Sequence, residues 1–435
     1  MNRLLLTILL ICALVFTTAR AQTKTQKIVK DGVEIEFSVE LPASHSNEVM
    51  AGQAAVFRFK VRDAATKTPL SGSKPVAWVA QRETPGPLGP DQCRAKVGSF
   101  LQGSLRSRPD VDLNAYYLLT LNEEASLSVI DPLLGFGGTK LLAMVLLKSP
   151  GDDWVLTSDR SKLFVSMPRA NQVAVVDTTT WKVIANIDTG ASPARLALQP
   201  DEKYVWVANQ TGVTVIDVAA LEVAKEIATD AGQHEITVGI DNKFAFVTNR
   251  DGGSLSIIDV TKLEKRKDVK TGSVATSLAF SPLSKAVYVT DEVDGSIAVV
   301  DAAIHKLLAK IAAKPGIKTV RFSPDGRWGF VANTSTSVVY IFDASTNQLV
   351  NEQPVGEAPD QFAFSDTFAY VRSLGSDQVS AIRLSTAGNQ LDVLKFPGGQ
   401  LAPGASKAFA ASADAFVPAP EPGAVLFANP ADKMI

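Results

Sequence analysis

Short apolar runs recur along most of this chain, each closed by turn residues. In the stretch beginning at Ala194, Leu196–Leu198 runs into a Gln199-Pro200-Asp201 turn, and Tyr204–Asn209, Val213–Asp217 and Val223–Ile227 follow as further runs. β-Branched and aromatic residues dominate, so the runs predict strands, four to a unit. Comparable second runs are Phe244–Asn249, Ala286–Asp291 and Trp328–Asn333. The third run of each unit ends in an apolar pair and an aspartate. Asp131, Asp177, Asp217, Asp259, Asp301 and Asp343 occupy that place, spaced 46, 40, 42, 42 and 42 residues apart. A period of this length built from four short strands predicts an array of small antiparallel sheets, closed into a β-propeller.

Six complete blades are expected to start near residues 153, 194, 235, 276, 318 and 360. Tyr116–Asn122, the run to Asp131 and Leu141–Leu147 supply three more strands that lack an innermost partner. Gly423–Asp432 reads as that partner, which predicts a seventh, composite blade from both chain ends. Closure of this kind removes exposed sheet edges. The expected fold class is therefore all-β: a seven-bladed β-propeller closed by a composite blade and preceded by a small immunoglobulin-like β-sandwich.

The sandwich is read from residues 22–90, where Val33, Ile35, Phe37, Val39 and Leu41 alternate with polar residues and Phe57, Phe59 and Val61 do so again. A third run follows at Val76–Val79, and the proline- and glycine-rich stretch Thr84–Pro90 ends the domain. Residues 91–113 read as a linker with some helix, and 114–435 as the propeller. Residues 1–21 carry Arg3, the apolar stretch Leu4–Phe16 and Ala19-Arg20-Ala21, the pattern of a cleaved secretory signal. A periplasmic or secreted location follows.

The repeats resemble the YVTN family of β-propeller repeats. Asp201–Asn209, Ser323–Asn333 and Val175–Val183 carry the resemblance, which covers about residues 115–385. It implies the fold and little of the activity, because one fold hosts unrelated roles.

After loss of residues 1–21 the chain holds 41 basic and 45 acidic residues, a formal charge of −4. No basic excess exists to hold nucleic acid or an anionic membrane, and no transmembrane segment remains. Cys93 is then the sole cysteine, so no intrachain disulfide forms, and the absence of C-x-x-C-H excludes covalent haem attachment of that pattern.

The recurring aspartates invite a metal-binding reading. Each precedes turn residues, where a carboxylate accepts backbone N–H groups, so turn chemistry is expected; Asn209, Asn249 and Asn333 are read the same way. Polar residues that break the repeat are more informative. Those just before each innermost strand reach one mouth of the central channel. They give a candidate binding funnel of Asp152, Asp153, Arg195, His234, Glu235, Lys318 and Asp360, against the plainer reading of a solvated rim of mutually paired charges. The long connection from Phe396 to Ala424 is a candidate lid or docking loop.

Catalytic patterns fail. His45, His234 and His305 are isolated, His234 with nearby carboxylates is a weak metal signal, and Leu134–Lys140 lacks phosphate-loop spacing. No catalytic residue, metal site or cofactor is predicted. The sequence favours a binding or scaffold module for a protein partner or small ligand. The alternative is a propeller enzyme or redox component. The repeat resemblance implies that relatives of this pattern include lactonases and haem-containing or amine-dehydrogenase electron-transfer proteins.

Overall fold

The computed structural model describes residues 24–30, 32–40, 56–68, 78–79, 89–101, 111–112, 117–130, 141–230, 232, 235–365, 367–388, 391–397, 416–418 and 425–427. The expected signal segment, His45, the loop Leu134–Lys140, His234 and most of the candidate lid lie outside them. The chain divides into two compact units, Met1–Asn114 and Ala115–Ile435.

In the first unit, Lys24–Lys30, Val33–Glu40 and Val56–Asp63 form an antiparallel sheet in that order. Its register sets Ile28, Ile35 and Val61 in one row and Phe37 beside Phe59 in the next, their rings 5.0 Å apart. Glu34, on the other face, is 2 % exposed and takes Lys27 at 2.8 Å and Lys67 at 2.6 Å. Both lysines hold its carboxyl below the ordinary glutamate range. Trp78–Val79 pairs with Val111–Asp112. Of the expected sandwich, the described residues contain this one sheet and the short ladder. The helix Pro90–Leu101 fills the start of the expected linker, with proline at its first position and Asp91 in the first turn, where a carboxylate suits the positive helix end.

Among the described residues, the second unit contains six sheets of four antiparallel strands, each ordered as in the chain. The first comprises Trp154–Leu156, Lys162–Met167, Gln172–Asp177 and Lys182–Asp188. Innermost strands of the others are Leu196–Leu198, Ile236–Val238, Ala275–Ser281, Ile317–Phe322 and Pro359–Phe364. Leu118–Leu121, Ser126–Ile130 and Leu141–Leu146 make a three-stranded sheet ahead of them. The unit is a seven-bladed β-propeller. Val425–Phe427 is a strand, as expected of the missing innermost piece. It pairs with Phe416–Pro418, inside the candidate lid, and among the described residues no ladder joins either to Leu118–Leu121.

Middle strands are apolar on both faces because each sheet is covered by a neighbour on either side. Tyr288, Val299 and Ile311 of the fourth complete blade pack with Val320, Tyr340 and Phe342 of the fifth. Tyr288 stacks on Phe342 at 5.1 Å, and its hydroxyl donates to Asn347 Oδ1 at 2.7 Å. Burying such aromatics contributes roughly 2–3 kcal/mol each. Gly329, where other second strands carry a larger residue, lies against the Phe342 ring and leaves no room for a Cβ.

The apolar pair before each recurring aspartate marks a bulge in the ladder to the outermost strand. It falls at Val175/Val176, Val215/Ile216, Ile257/Ile258, Val299/Val300 and Ile341/Phe342. An extra residue there increases twist and blunts the edge. The aspartates then cap turns. Asp177 Oδ1 accepts the N–H groups of Thr179 and Thr180 at 2.9 Å, and Asp301 Oδ1 those of Ala303 and Ile304 at 2.8 Å. Asp217, Asp259 and Asp343 act alike, while Asp131 lies outside the described residues. Turn chemistry therefore accounts for the described recurring aspartates.

Candidate functional site

Antiparallel order fixes what gathers at the channel mouth. Each innermost strand starts there, and each second strand ends there, so loops after Asn209, Asn249 and Asp291 join residues 152–153, 195, 235, 318 and 360 at one end. The capped aspartate turns lie at the far end. At blades four to six the candidate residues fall inside the strand. The ladder shifts between Ala275 and Ser277, between Ile317 and Val320, and between Pro359 and Gln361. Thr276, Lys318, Thr319 and Asp360 are thus bulge residues, released from regular pairing and re-aimed.

Arg195 is the centre of one cluster. Its Nε donates to Glu235 Oε1 at 2.9 Å and its Nη1 to Asp152 Oδ2 at 3.4 Å, linking three successive blades. Burial opposes the cation, but Glu235, Asp153 and Asp152 together hold it protonated well above the ordinary arginine value. Burial pushes the Asp152 carboxyl up; Arg195 pulls it back and Glu235 adds to the rise. Asp153 serves the scaffold: its oxygens accept the N–H groups of Trp154 at 2.8 Å and Leu196 at 2.9 Å.

A second cluster centres on Glu292, which sequence reading missed. Arg250 Nη2 lies 3.3 Å from Glu292 Oε2, and Lys318 Nζ lies 3.5 Å from Glu292 Oε1. Arg250 and Lys318 remain 41 % and 47 % exposed and can reach a ligand. Beside Arg250, an open cavity of about 350 Å³ is lined by Gln210, Gly232, Arg250 and Asp251. The first cluster counts two carboxylates to one cation; the second counts two cations to one carboxylate. Asp251 lines the cavity beside Arg250, so the two cations of the second cluster stand among further carboxylates.

Asp360 belongs to neither. Both of its oxygens take Arg372, with Nε at 3.0 Å. Arg372 is 3 % exposed and stands where the other complete blades have Ser166, Ala208, Thr248, Thr290 and Ala332, all buried and small. Burial pushes the Asp360 carboxyl up against the pull of Arg372. Thr319 Oγ1 donates to the Asp360 carbonyl at 2.8 Å, tying blade five to blade six.

The expected funnel is thus resolved into separate groups. Asp152, Arg195 and Glu235 come together; Lys318 and Asp360 join other partners; His234 lies outside the described residues. An alignment of second-strand ends carried the missing signal, since it puts Arg250 and Glu292 in matching loop positions and Arg372 among small residues. Among the described residues, no group of three or more His, Cys, Asp or Glu side chains is placed to hold a metal ion. No described helix is long and apolar enough to cross a membrane.

Residues 238–377, 140 of the 435, match the family model of the cytochrome D1 heme domain, a β-propeller family. No curated protein matches the chain. Among solved structures, it is similar to the dihydro-heme d1 dehydrogenase NirN in complex with DHE, at 16 % identity and a TM-score of 0.55, over 69 % of this chain and 68 % of that one. It is also similar to Kuenenia stuttgartiensis hydrazine synthase, at 19 % identity and a TM-score of 0.47, over 54 % of this chain and 77 % of that one. The family match and the first of these likenesses place the chain among propeller-type proteins.

Proposed function

We propose that this propeller binds a haem-type tetrapyrrole through Arg250 and Lys318 at its mouth, as a ligand-handling component of redox metabolism. The observation that carries the reading is a coincidence of position. The stretch matching the cytochrome D1 heme domain, 238–377, contains all three members of the Arg250–Glu292–Lys318 cluster. Two half-exposed cations suit the peripheral carboxylates of such a ligand, and charge-assisted contacts of this type are strong for their size. The repeats as YVTN-type units and export by residues 1–21 form part of the same proposal.

The described residues fit the periphery of the group and not its iron. His305 is the one histidine in the matched stretch. It lies in a far-end turn, edge-on to Phe244 with ring centroids 4.2 Å apart. Among the described residues, no histidine stands at the mouth. Arg250 and Lys318 would orient the ligand by its acid groups, and Glu292 holds the two cations apart in a fixed geometry.

The test is an absorbance titration with iron-loaded and iron-free porphyrins bearing two or four carboxylates. The expected result is saturable binding of both metallation states, tighter for the tetracarboxylate. Lys318→Glu and Arg250→Glu should each weaken it about tenfold or more, the loss of one charge-assisted contact. Absence of binding, or binding unaffected by both reversals, overturns the reading and returns the mouth to a protein-docking role.

A further inference from the structure

The outermost strand of the three-stranded sheet differs from its counterparts. In Leu141–Leu146 no residue is charged, and Leu142, Met144 and Leu146 are 43 %, 54 % and 73 % exposed, while Val145 is 2 % exposed and faces the core. The strand lies at the edge of its sheet, with its outer N–H and C=O groups unpaired among the described residues. Outermost strands of the six complete blades each carry charge: Lys182, Glu222, Glu264, Lys310, Glu352 and Lys395 are examples. Charge on an edge strand opposes pairing with another strand; its absence here leaves that pairing open.

We infer that two copies of this chain associate by antiparallel pairing of this strand with itself. The strand is its own complement. With a two-fold axis at Val145, Met144 of one copy faces Leu146 of the other on the exposed side, and no charge is buried. A two-fold contact of this kind uses the same patch on both subunits and closes on itself. The bulge at Val129/Ile130 leaves Leu142 outside regular register, so pairing runs over residues 143–147. Ile184, 48 % exposed on the outermost strand of the next blade, widens the apolar patch. So short a ladder gives a reversible dimer, smaller than obligate interfaces.

Sedimentation velocity on the whole chain, over a micromolar concentration series, reads the association directly. The expected result is a monomer–dimer equilibrium that Met144→Lys and Leu146→Lys each weaken at least tenfold. Leu308→Lys, at an equally exposed outer-strand position, should leave it unchanged. In a Cys12→Ser, Cys93→Ser background, Met144→Cys and Leu146→Cys chains are mixed with a copper catalyst and dissolved oxygen, which takes up the two electrons and two protons. They should give a disulfide-linked dimer, because directly opposed positions of an antiparallel pair bring their Cβ atoms within about 5 Å. All the positions are exposed, so an unchanged circular dichroism spectrum verifies folding. A monomer at every concentration, or a dimer that neither lysine disturbs, overturns the inference.

Discussion

The two ends of the propeller are built from the same strands and differ in how uniformly they use charged side chains. At the far end every complete blade from the first to the fifth spends its aspartate in the same way, on N–H groups two or three residues ahead. At the mouth Asn209, Asp291 and Asn333 cap turns in the same manner, but the charged positions beside the innermost strands differ from blade to blade: Arg195, Glu235, Lys318 and Asp360 occupy related places with different charges and partners. Repetition follows where local backbone geometry is the only demand. Variation is concentrated where side chains of different blades meet around an opening, and that is where recognition chemistry can be placed without disturbing the ring.

That contrast predicts a graded response. The largest effect belongs to Arg372→Leu, which leaves the Asp360 carboxylate buried without its guanidinium; the expected loss is about 3 kcal/mol, read by chemical denaturation. A loss under 1 kcal/mol would place the Asp360 site in effective contact with water. At the far end, Asp343→Ala removes the bonds to Ser345 and the ion pair to Arg327, for roughly 1–2 kcal/mol. Asp343→Asn should recover part of this by keeping the turn acceptor.

The ends should also answer pH in opposite senses. Burial raises the Asp343 carboxyl, but Ser345 and Arg327 outweigh it and set its pKa below the ordinary aspartate value. Its stabilisation is present above that ordinary value and is lost as pH falls through the lowered one. Asp152 and Asp360 are shifted upward by burial, so their favourable contribution is present at acid pH and is lost as pH rises through the raised values. In melting curves between about pH 4 and pH 7, Asp152→Asn should gain on the parent as pH rises, by less than about 1 kcal/mol. A difference independent of pH would mean that Arg195 fully offsets the burial.

Much of the architecture was legible because it rests on local signals. The aspartate period, the turn residues behind it and the second-strand pattern each report on a few neighbouring residues. Lys24–Lys30 escaped because KTQKIVK has little apolar alternation; it forms as a hairpin arm, with Lys30 opposite Val33, which an apolar pattern does not register. The mouth was legible only in part. Asp152, Arg195 and Glu235 were recognisable as departures from the repeat, but their mutual contacts depend on the angle between blades. Glu292 and Arg250 sit in loops of different blades, and Arg372 becomes unusual only beside Ser166 and Ala208.

Charges at the mouth are shared unequally. Arg195 and Glu292 are hubs, each serving two spokes on other blades. Removing a spoke strands nothing, because the hub keeps its second partner; removing a hub strands two charges at once. Double-mutant cycles should therefore find Asp152 coupled to Glu235 through a residue neither can replace. The opening should tolerate change unevenly, forgiving at its spokes and brittle at two positions.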